Sequence, residues 1–133
     1  MDSNAEPDEH IDKLARTVLS AAVEVHKCLG PGYLESIYEE ALAIEFTSAG
    51  LSFARQVPVP VNYKNNLVGQ GRLDFLVDGE LIVELQAVET LLPLHKMQVL
   101  SYLKATGYQL GLLMNFNVPV LMRGVHRIIM SRN

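Results

Sequence analysis

The chain has little of what marks several common classes of protein. It carries a single cysteine, Cys28, which excludes an internal disulfide and is typical of a reducing cytoplasm. The formal net charge is −4, so the chain has no overall basic character for nucleic acid, although a local patch can suffice. No apolar run reaches the roughly 20 residues of a membrane span. These absences predict a cytoplasmic protein without a membrane segment.

The chain also lacks the side-chain patterns of several enzyme classes. No cluster of histidine and cysteine has the spacing of a zinc site. No serine or cysteine nucleophile comes with a recognisable catalytic partner, and Cys28 is expected in the core. A glycine-rich phosphate loop of the Walker or dinucleotide type is absent as well. The acidic side chains are the remaining candidates for chemistry.

The chain does contain enough apolar material for one folded domain. Hydrophobic residues make up 49% of its 133 residues, a length typical of a single domain. The first segment, residues 1–8, is acidic and polar, and we expect a disordered tail there rather than a signal peptide. One domain is therefore expected over residues 9–133.

Periodicity and helix-stop residues predict an α/β fold. Apolar spacing, with glycine and proline stops, indicates two helices, three strands, a helix and two strands in that order. The strand at residues 81–88 is apolar on both faces apart from two polar positions, which predicts a central strand covered by helices on both sides. The predicted helices are residues 9–28, 33–49 and 93–106, and the predicted strands are residues 56–63, 71–77, 81–88, 108–116 and 120–130.

Two acidic residues lie among residues that should be buried. Asp74 and Glu84 both belong to the apolar segment GRLDFLVDGELIVELQAVE, residues 71–89. A buried carboxylate is costly unless it is paired, hydrogen-bonded or bound to a metal, and two nearby carboxylates raise one another's pKa. The pattern therefore favours a divalent metal site. The alternative is that both acids form internal ion pairs, for instance with Arg72 or Arg55.

A shared metal site sets a condition on the turn between the two strands. A strict two-residue loop at Asp78-Gly79 would pair Asp74 with Val83. Asp74 and Glu84 would then face opposite sides of the sheet, because side chains alternate along a strand. The metal interpretation therefore predicts a three-residue loop or a β-bulge between the two acids.

The segment GYLESIY, residues 32–38, resembles the signature of the GxxExxY proteins, small bacterial proteins of the PD-(D/E)XK nuclease superfamily. The resemblance covers roughly residues 9–130 and includes several further motifs in order, namely RLDFLV, IVELQAVE, PLHKMQVLSYLKATG and GLLMNF. It implies a restriction-endonuclease-like α-β-β-β-α-β core with a mixed central sheet flanked by helices.

The resemblance also implies a site built from the two acids. Asp74 and Glu84 would bind Mg²⁺ or Mn²⁺, with the carbonyl of Leu85 as a further ligand and Glu35 as an auxiliary one. Gln86 stands where the lysine of the ExK motif is expected, and that lysine orients the attacking water and stabilises charge at the phosphate. Glutamine donates a hydrogen bond but supplies no positive charge.

Further residues are expected to support this site. Gln98 and Tyr102 resemble the QxxxY element of RecB-type nucleases, and Tyr38 either packs beside the site or contacts substrate. His95 is a candidate phosphate contact, with an ordinary surface or packing role as the alternative. By spacing alone, Glu35 could equally be an acid of the first helical turn whose negative charge interacts favourably with the helix dipole.

Basic residues are concentrated in the C-terminal half. Lys96 or Lys104 could reach in to replace the missing lysine. The wider group is either a local phosphate-binding surface or an ordinary solvated face, and it comprises Lys96, Lys104, Arg123, Arg127 and Arg132.

Two functions are consistent with these residues. The first is metal-assisted hydrolysis of phosphodiesters in a nucleic acid. The alternative is a module that has kept the fold, lost catalysis at Gln86, and binds nucleic acid, a nucleotide or a protein partner. Either form could be a homodimer that buries a strand edge or an apolar face.

Overall fold

The structure is a computed structural model, and it describes residues 7–130. The helices are α1 (Glu9–Leu29), α2 (Glu35–Ser48) and α3 (Pro93–Thr106). The strands are β1 (Phe53–Tyr63), β2 (Asn66–Val77), β3 (Leu81–Gln86), β4 (Leu110–Asn115) and β5 (Val125–Ile129). The predicted order of elements is therefore confirmed, and a short 3₁₀ helix at Leu121–Gly124 precedes β5.

The five strands form one mixed sheet in the order β1-β2-β3-β4-β5. Strands β3 and β4 are parallel, and the other neighbouring pairs are antiparallel. A parallel pair needs a crossover connection, and α3 supplies it between β3 and β4. The result is the mixed sheet flanked by helices that is typical of a restriction-endonuclease-like fold.

Helices cover both faces of the sheet, as the apolar sequence of β3 predicts. One cluster of buried side chains joins α1 and α2 to one face, and a smaller cluster joins α3 to the other. The first five residues of β3 are all buried, because this strand lies in the middle of the sheet. Val83 packs on the α1 and α2 side, whereas Ile82 packs on the α3 side.

The β1–β2 hairpin changes direction where Gln56 lies opposite Asp74. The two residues face each other between regular pairs of the ladder, and Gln56 has a φ of 53°, which is rare for a strand residue. Phe75 packs on the α1 and α2 side of the sheet, whereas Leu73 packs on the α3 side. Because residues two apart in a strand normally share a face, the strand rotates at Asp74.

Several predicted boundaries are wrong. Strand β1 begins at Phe53 rather than residue 56, and β2 begins at Asn66 rather than residue 71, so the hairpin is longer than predicted. The prolines of β1 are tolerated because β1 is an edge strand. The strand predicted at residues 120–130 begins only after the 3₁₀ helix. Cys28 is exposed, not in the core, because it lies on the outer side of the last turn of α1.

Two further expectations concern the N-terminal tail and membrane-spanning helices. Of the predicted tail, residues 1–6 lie outside the described residues. Pro7 is buried, and the backbone N–H of Asp8 donates to the side-chain oxygen of Gln109 at 3.3 Å. Within residues 7–130, none of the helices combines the length and the apolar character needed to cross a bilayer.

Candidate metal centre

The turn between β2 and β3 places both acids on one side of the sheet. Val77 pairs with Leu81 and Phe75 pairs with Val83, so three residues, 78–80, form the loop. The next position along the same register sets Asp74 opposite Glu84. Of the two predicted alternatives, a three-residue loop and a β-bulge, the structure has the loop, which allows the two acids to share a site.

Where the backbone ladder between β2 and β3 ends, the side chains of the two acids accept hydrogen bonds from backbone amides. The ladder between β2 and β3 ends at Phe75 and Val83. Beyond that pair the backbone N–H of Asp74 donates to Oε2 of Glu84 at 2.7 Å, and the N–H of Leu85 donates to Oδ2 of Asp74 at 2.8 Å. We call these two bonds the carboxylate clamp. Each acid is thereby held by a main-chain amide of the facing strand.

Burial and mutual repulsion perturb both acids. Burial, followed by the negative charge of Asp74, raises the pKa of Glu84 from 4.5 to about 8, although the Asp74 N–H opposes the shift. Burial is also the main cause of the raised pKa of Asp74, and the charge of Glu39 adds to it. The N–H of Leu85 and the side chains of Gln56 and Arg72 act in the opposite direction. Glu84 is therefore buried and Asp74 partly buried, and the positive charge of Arg72 only partly offsets the rise in the pKa of Asp74.

The ion-pair alternative is not formed among the described residues. Arg55 binds Glu39, with 3.0 Å between Nη2 and Oε2, and it also binds Glu40. Arg72 is exposed, and within residues 7–130 it forms no ion pair with either acid. An oxygen-rich pair of this kind suits Mg²⁺, which commonly takes one or two carboxylates and retains waters.

The raised pKa of Glu84 predicts a pH-dependent stability of the metal-free protein. Between pH 4.5 and about 8 the folded protein keeps a proton on Glu84 that the unfolded chain has released. The free energy of unfolding should therefore fall as pH rises through this window, by up to roughly 1.4 kcal/mol per pH unit, and level off above it. Urea unfolding in EDTA at a series of pH values measures this slope. Glu84→Gln should flatten it, and an unchanged slope in that variant would contradict the assignment.

The third acid, Glu35, lies near the pair but does not complete a compact trio with it. Glu35 is the first residue of α2 and is exposed. Partial burial of its carboxylate, followed by the charge of Asp74, raises its pKa. Among the described residues, one trio of His, Cys, Asp or Glu has its ligand atoms within 4.8 Å of one another, and it joins His10 of α1 to Asp78 and Glu80 of the β2–β3 turn. A direct bond from Glu35 to a metal on Asp74 would therefore need a side-chain movement.

Two residues that lie near the centre, Glu39 and Gln56, were not predicted from the sequence. Glu39 accepts from the side-chain amide of Gln56 at 2.9 Å, and its charge raises the pKa of both Asp74 and Glu84. Glu39 follows Glu35 by four residues, so the helical period could have placed it on the same face. No sequence signal marks Gln56, because its position depends on the bend of the hairpin.

Tyr38 is fully buried and holds the loop before α2. Its hydroxyl donates to the carbonyl of Gly30 at 2.6 Å and accepts from the N–H of Tyr33 at 3.2 Å. Its ring stacks on Phe116 with centroids 4.6 Å apart. The substrate contact considered for Tyr38 is not available in this structure, since the side chain has no exposed surface. Support of the loop that leads to Glu35 is the alternative that the contacts favour.

Helix α3 brings two of its predicted residues towards the centre. The ring of Tyr102 covers Gly71, where an added Cβ would lie 2.5 Å from Cε1 of the ring. The backbone N–H of Arg72 donates to the hydroxyl of Tyr102 at 3.5 Å. The Nδ1 atom of His95 accepts from the N–H of Leu92 at 2.9 Å, and a charge on His95 would lower the pKa of Glu35. Gln98, one turn before Tyr102, is exposed.

The lysines proposed as replacements for the missing one lie elsewhere. Lys96 acts on His126 of β5, whose pKa is lowered by burial and then by this charge. Strand β5 is the edge of the sheet opposite β1, so the charge of Lys96 acts at a position two strands away from β3. Lys104 lines a surface depression with Asn62, near the far end of the β1–β2 hairpin. Gln86 ends β3 and shares the face of Glu84, because side chains alternate.

Comparison with known proteins places the chain in a family. A search of the curated proteins and a search of the solved structures each gave no match. A family model, described as the PD-(D/E)XK nuclease superfamily, matches residues 12–128, which contain both acids and all of the sheet except its last residue. PD-(D/E)XK nucleases typically use divalent metals. The chain belongs to the PD-(D/E)XK nuclease superfamily.

Proposed function

We propose that the protein is a metal-dependent nuclease that hydrolyses phosphodiester bonds of nucleic acid with Mg²⁺ or Mn²⁺. The carboxylate clamp is the observation that carries this proposal. It holds the buried Glu84 beside the partly buried Asp74, and neither acid forms an ion pair among the described residues. Two such groups are stable together when a bound divalent ion neutralises them.

The residues of the centre have separate tasks in this proposal. One oxygen of Asp74 and one of Glu84 are fixed by backbone amides, so the second oxygen of each remains for a ligand. The carbonyl of Leu85 is the third protein ligand that we propose. Glu35 acts through a water held between its carboxylate and the centre. A bound divalent ion would lower the pKa of a coordinated water and polarise a phosphodiester oxygen.

The non-catalytic alternative rests on Gln86. A glutamine at the end of β3 donates a hydrogen bond but cannot neutralise charge that develops on a phosphate. In this alternative the fold binds nucleic acid, a nucleotide or a protein partner without cleavage. The buried pair of acids favours the nuclease, because two uncompensated carboxylates destabilise a domain that does not need them.

Within the superfamily we assign the chain to the GxxExxY proteins, on the motif at residues 32–38. The motif joins the buried Tyr38 to Glu35 at the start of α2. A homodimer remains a prediction, with the open edge of β1 as one surface that a second copy could cover.

The test is a calorimetric titration of Mn²⁺ and Mg²⁺ into the wild-type protein, with cleavage of labelled DNA and RNA assayed on the same samples. We expect saturable binding and metal-dependent cleavage. The affinity should rise with pH up to about 8, by at most about tenfold per pH unit, because Glu84 must release its proton to bind metal. Absence of any metal binding would refute the proposal.

Gln86→Lys separates the two functions. If wild type binds Mn²⁺ without cleaving and the variant cleaves, the protein is a lapsed nuclease, since only the charge at the end of β3 was missing. If wild type already cleaves, the variant shows how much the native residue limits the rate.

A further inference from the structure

A polar groove runs along the β1–β2 hairpin next to the metal centre. Its volume is about 400 Å³, and it is lined by Gln56, Pro58, Gln70, Gly71 and Arg72. Pro58 pairs with Arg72 across the two strands, so both walls of the groove belong to the hairpin. The neighbouring odd-numbered residues, such as Leu73, pack against α3 on the other face. The groove is therefore the solvent face of the hairpin.

One residue that lines the groove lies opposite Asp74. Gln56 lines the groove and also lies opposite Asp74 across the ladder, where its left-handed conformation bends the strand. Its side-chain amide donates to Glu39 at 2.9 Å. A strand rises about 3.3 Å per residue, so the Cα of Arg72 lies about 7 Å from that of Asp74. An extended strand that lies in the groove would thus reach the metal centre at its end.

Arg72 is the one charged side chain that lines the groove. It is exposed, and among residues 7–130 it forms no ion pair. The other arginine of the hairpin, Arg55, forms ion pairs with Glu39 and Glu40. The charge of Lys96 acts on His126 of β5, and Lys104 lines a depression with Asn62 at the far end of the hairpin. Arg72 is therefore the fixed positive charge of the described chain that remains free to bind an anion beside this acidic centre.

We propose that Arg72 binds a phosphate of the nucleic-acid strand immediately beside the Asp74–Glu84 centre, and so supplies the positive charge that Gln86 cannot. This inference rests on the proposed function. The planar guanidinium presents paired donors that match two phosphate oxygens, and the amide of Gln70 adds a donor along the same groove. The contact orients the strand on a surface whose other nearby charges, Glu35 and Glu39, would repel it.

The test measures the affinity of fluorescein-labelled single-stranded and duplex DNA by anisotropy, over a series of salt concentrations, in EDTA and in Ca²⁺. Arg72→Gln should weaken binding about tenfold or more and reduce the slope of log K against log salt by about 1. Arg72→Lys should keep the slope. The matched control is Arg16→Gln on α1, an exposed arginine outside the groove, which should behave as wild type.

A Mn²⁺ titration of the same variants separates this proposal from the proposed function. Arg72→Gln should retain the wild-type Mn²⁺ affinity, because Arg72 is not a ligand. If wild type binds no Mn²⁺ but Arg72→Gln still loses DNA affinity and salt slope, the nuclease proposal fails and the phosphate contact stands. Wild-type DNA affinity and slope in Arg72→Gln overturn the phosphate contact. It is also overturned if Arg72→Gln loses Mn²⁺ binding, or if wild type binds no DNA in either solution.

Discussion

Substitution of Glu84 by alanine is expected to abolish Mn²⁺ binding and, with it, metal-dependent cleavage. The substitution removes one of the two carboxylates of the clamp and leaves the Asp74 N–H without its acceptor. A catalytic metal supplies several kcal/mol of stabilisation to the transition state, so the rate should fall about a thousandfold or more. Calorimetry with Mn²⁺ and a cleavage assay on the same samples give both quantities.

Glu80→Ala is the matched control for this experiment. Glu80 belongs to the exposed trio with His10 and Asp78, where His10 Nε2 lies 2.8 Å from Glu80 Oε2. The variant should keep both Mn²⁺ binding and cleavage. If instead Glu80→Ala loses the binding heat and Glu84→Ala keeps it, the ion binds at the β2–β3 turn, and the two buried acids are not a metal site.

Removal of the Tyr38 side chain is expected to give the largest loss of stability. Tyr38→Ala removes a fully buried ring that stacks on Phe116 and should cost about 3–5 kcal/mol in the free energy of unfolding. Tyr38→Phe keeps the ring but leaves the carbonyl of Gly30 and the N–H of Tyr33 without their partner, for a cost of about 1–3 kcal/mol. Urea unfolding of the two variants and of wild type measures both costs.

The Tyr38→Phe variant also decides what the last residue of the signature does. Because the hydroxyl binds the loop before Glu35 and has no exposed surface, the folded variant should bind Mn²⁺ about as well as wild type. A variant that keeps full stability and loses cleavage would restore the alternative in which the hydroxyl contacts substrate.

The order of the elements and the register of the two acids could be predicted from the sequence, because both follow from local rules. The alternation of side chains required a third loop residue if Asp74 and Glu84 were to share a site, and the loop has it. The apolar sequence on both faces of β3 required helices on both sides, and α3 lies opposite α1 and α2.

The features that escaped prediction depend on contacts between distant residues. The bend at Gln56 requires a left-handed residue in a strand, and nothing in the neighbouring sequence marks it. The first part of β2, with glycines at 69 and 71, has few strand-forming residues and becomes a strand by pairing with β1. The environment of Lys96 depends on β5, which lies thirty residues further along the chain.

The three-residue turn at residues 78–80 decides which residue of β3 lies opposite Asp74. Nine residues separate Asp74 from Glu84 in the chain, so the two acids lie opposite each other only when the loop takes an odd number of residues, and it takes three. Pairing closed by a two-residue loop would place Val83 opposite Asp74 and turn Glu84 to the other side of the sheet. A slip of β3 by one residue along β2 would therefore separate the two acids although no residue of the chain had changed.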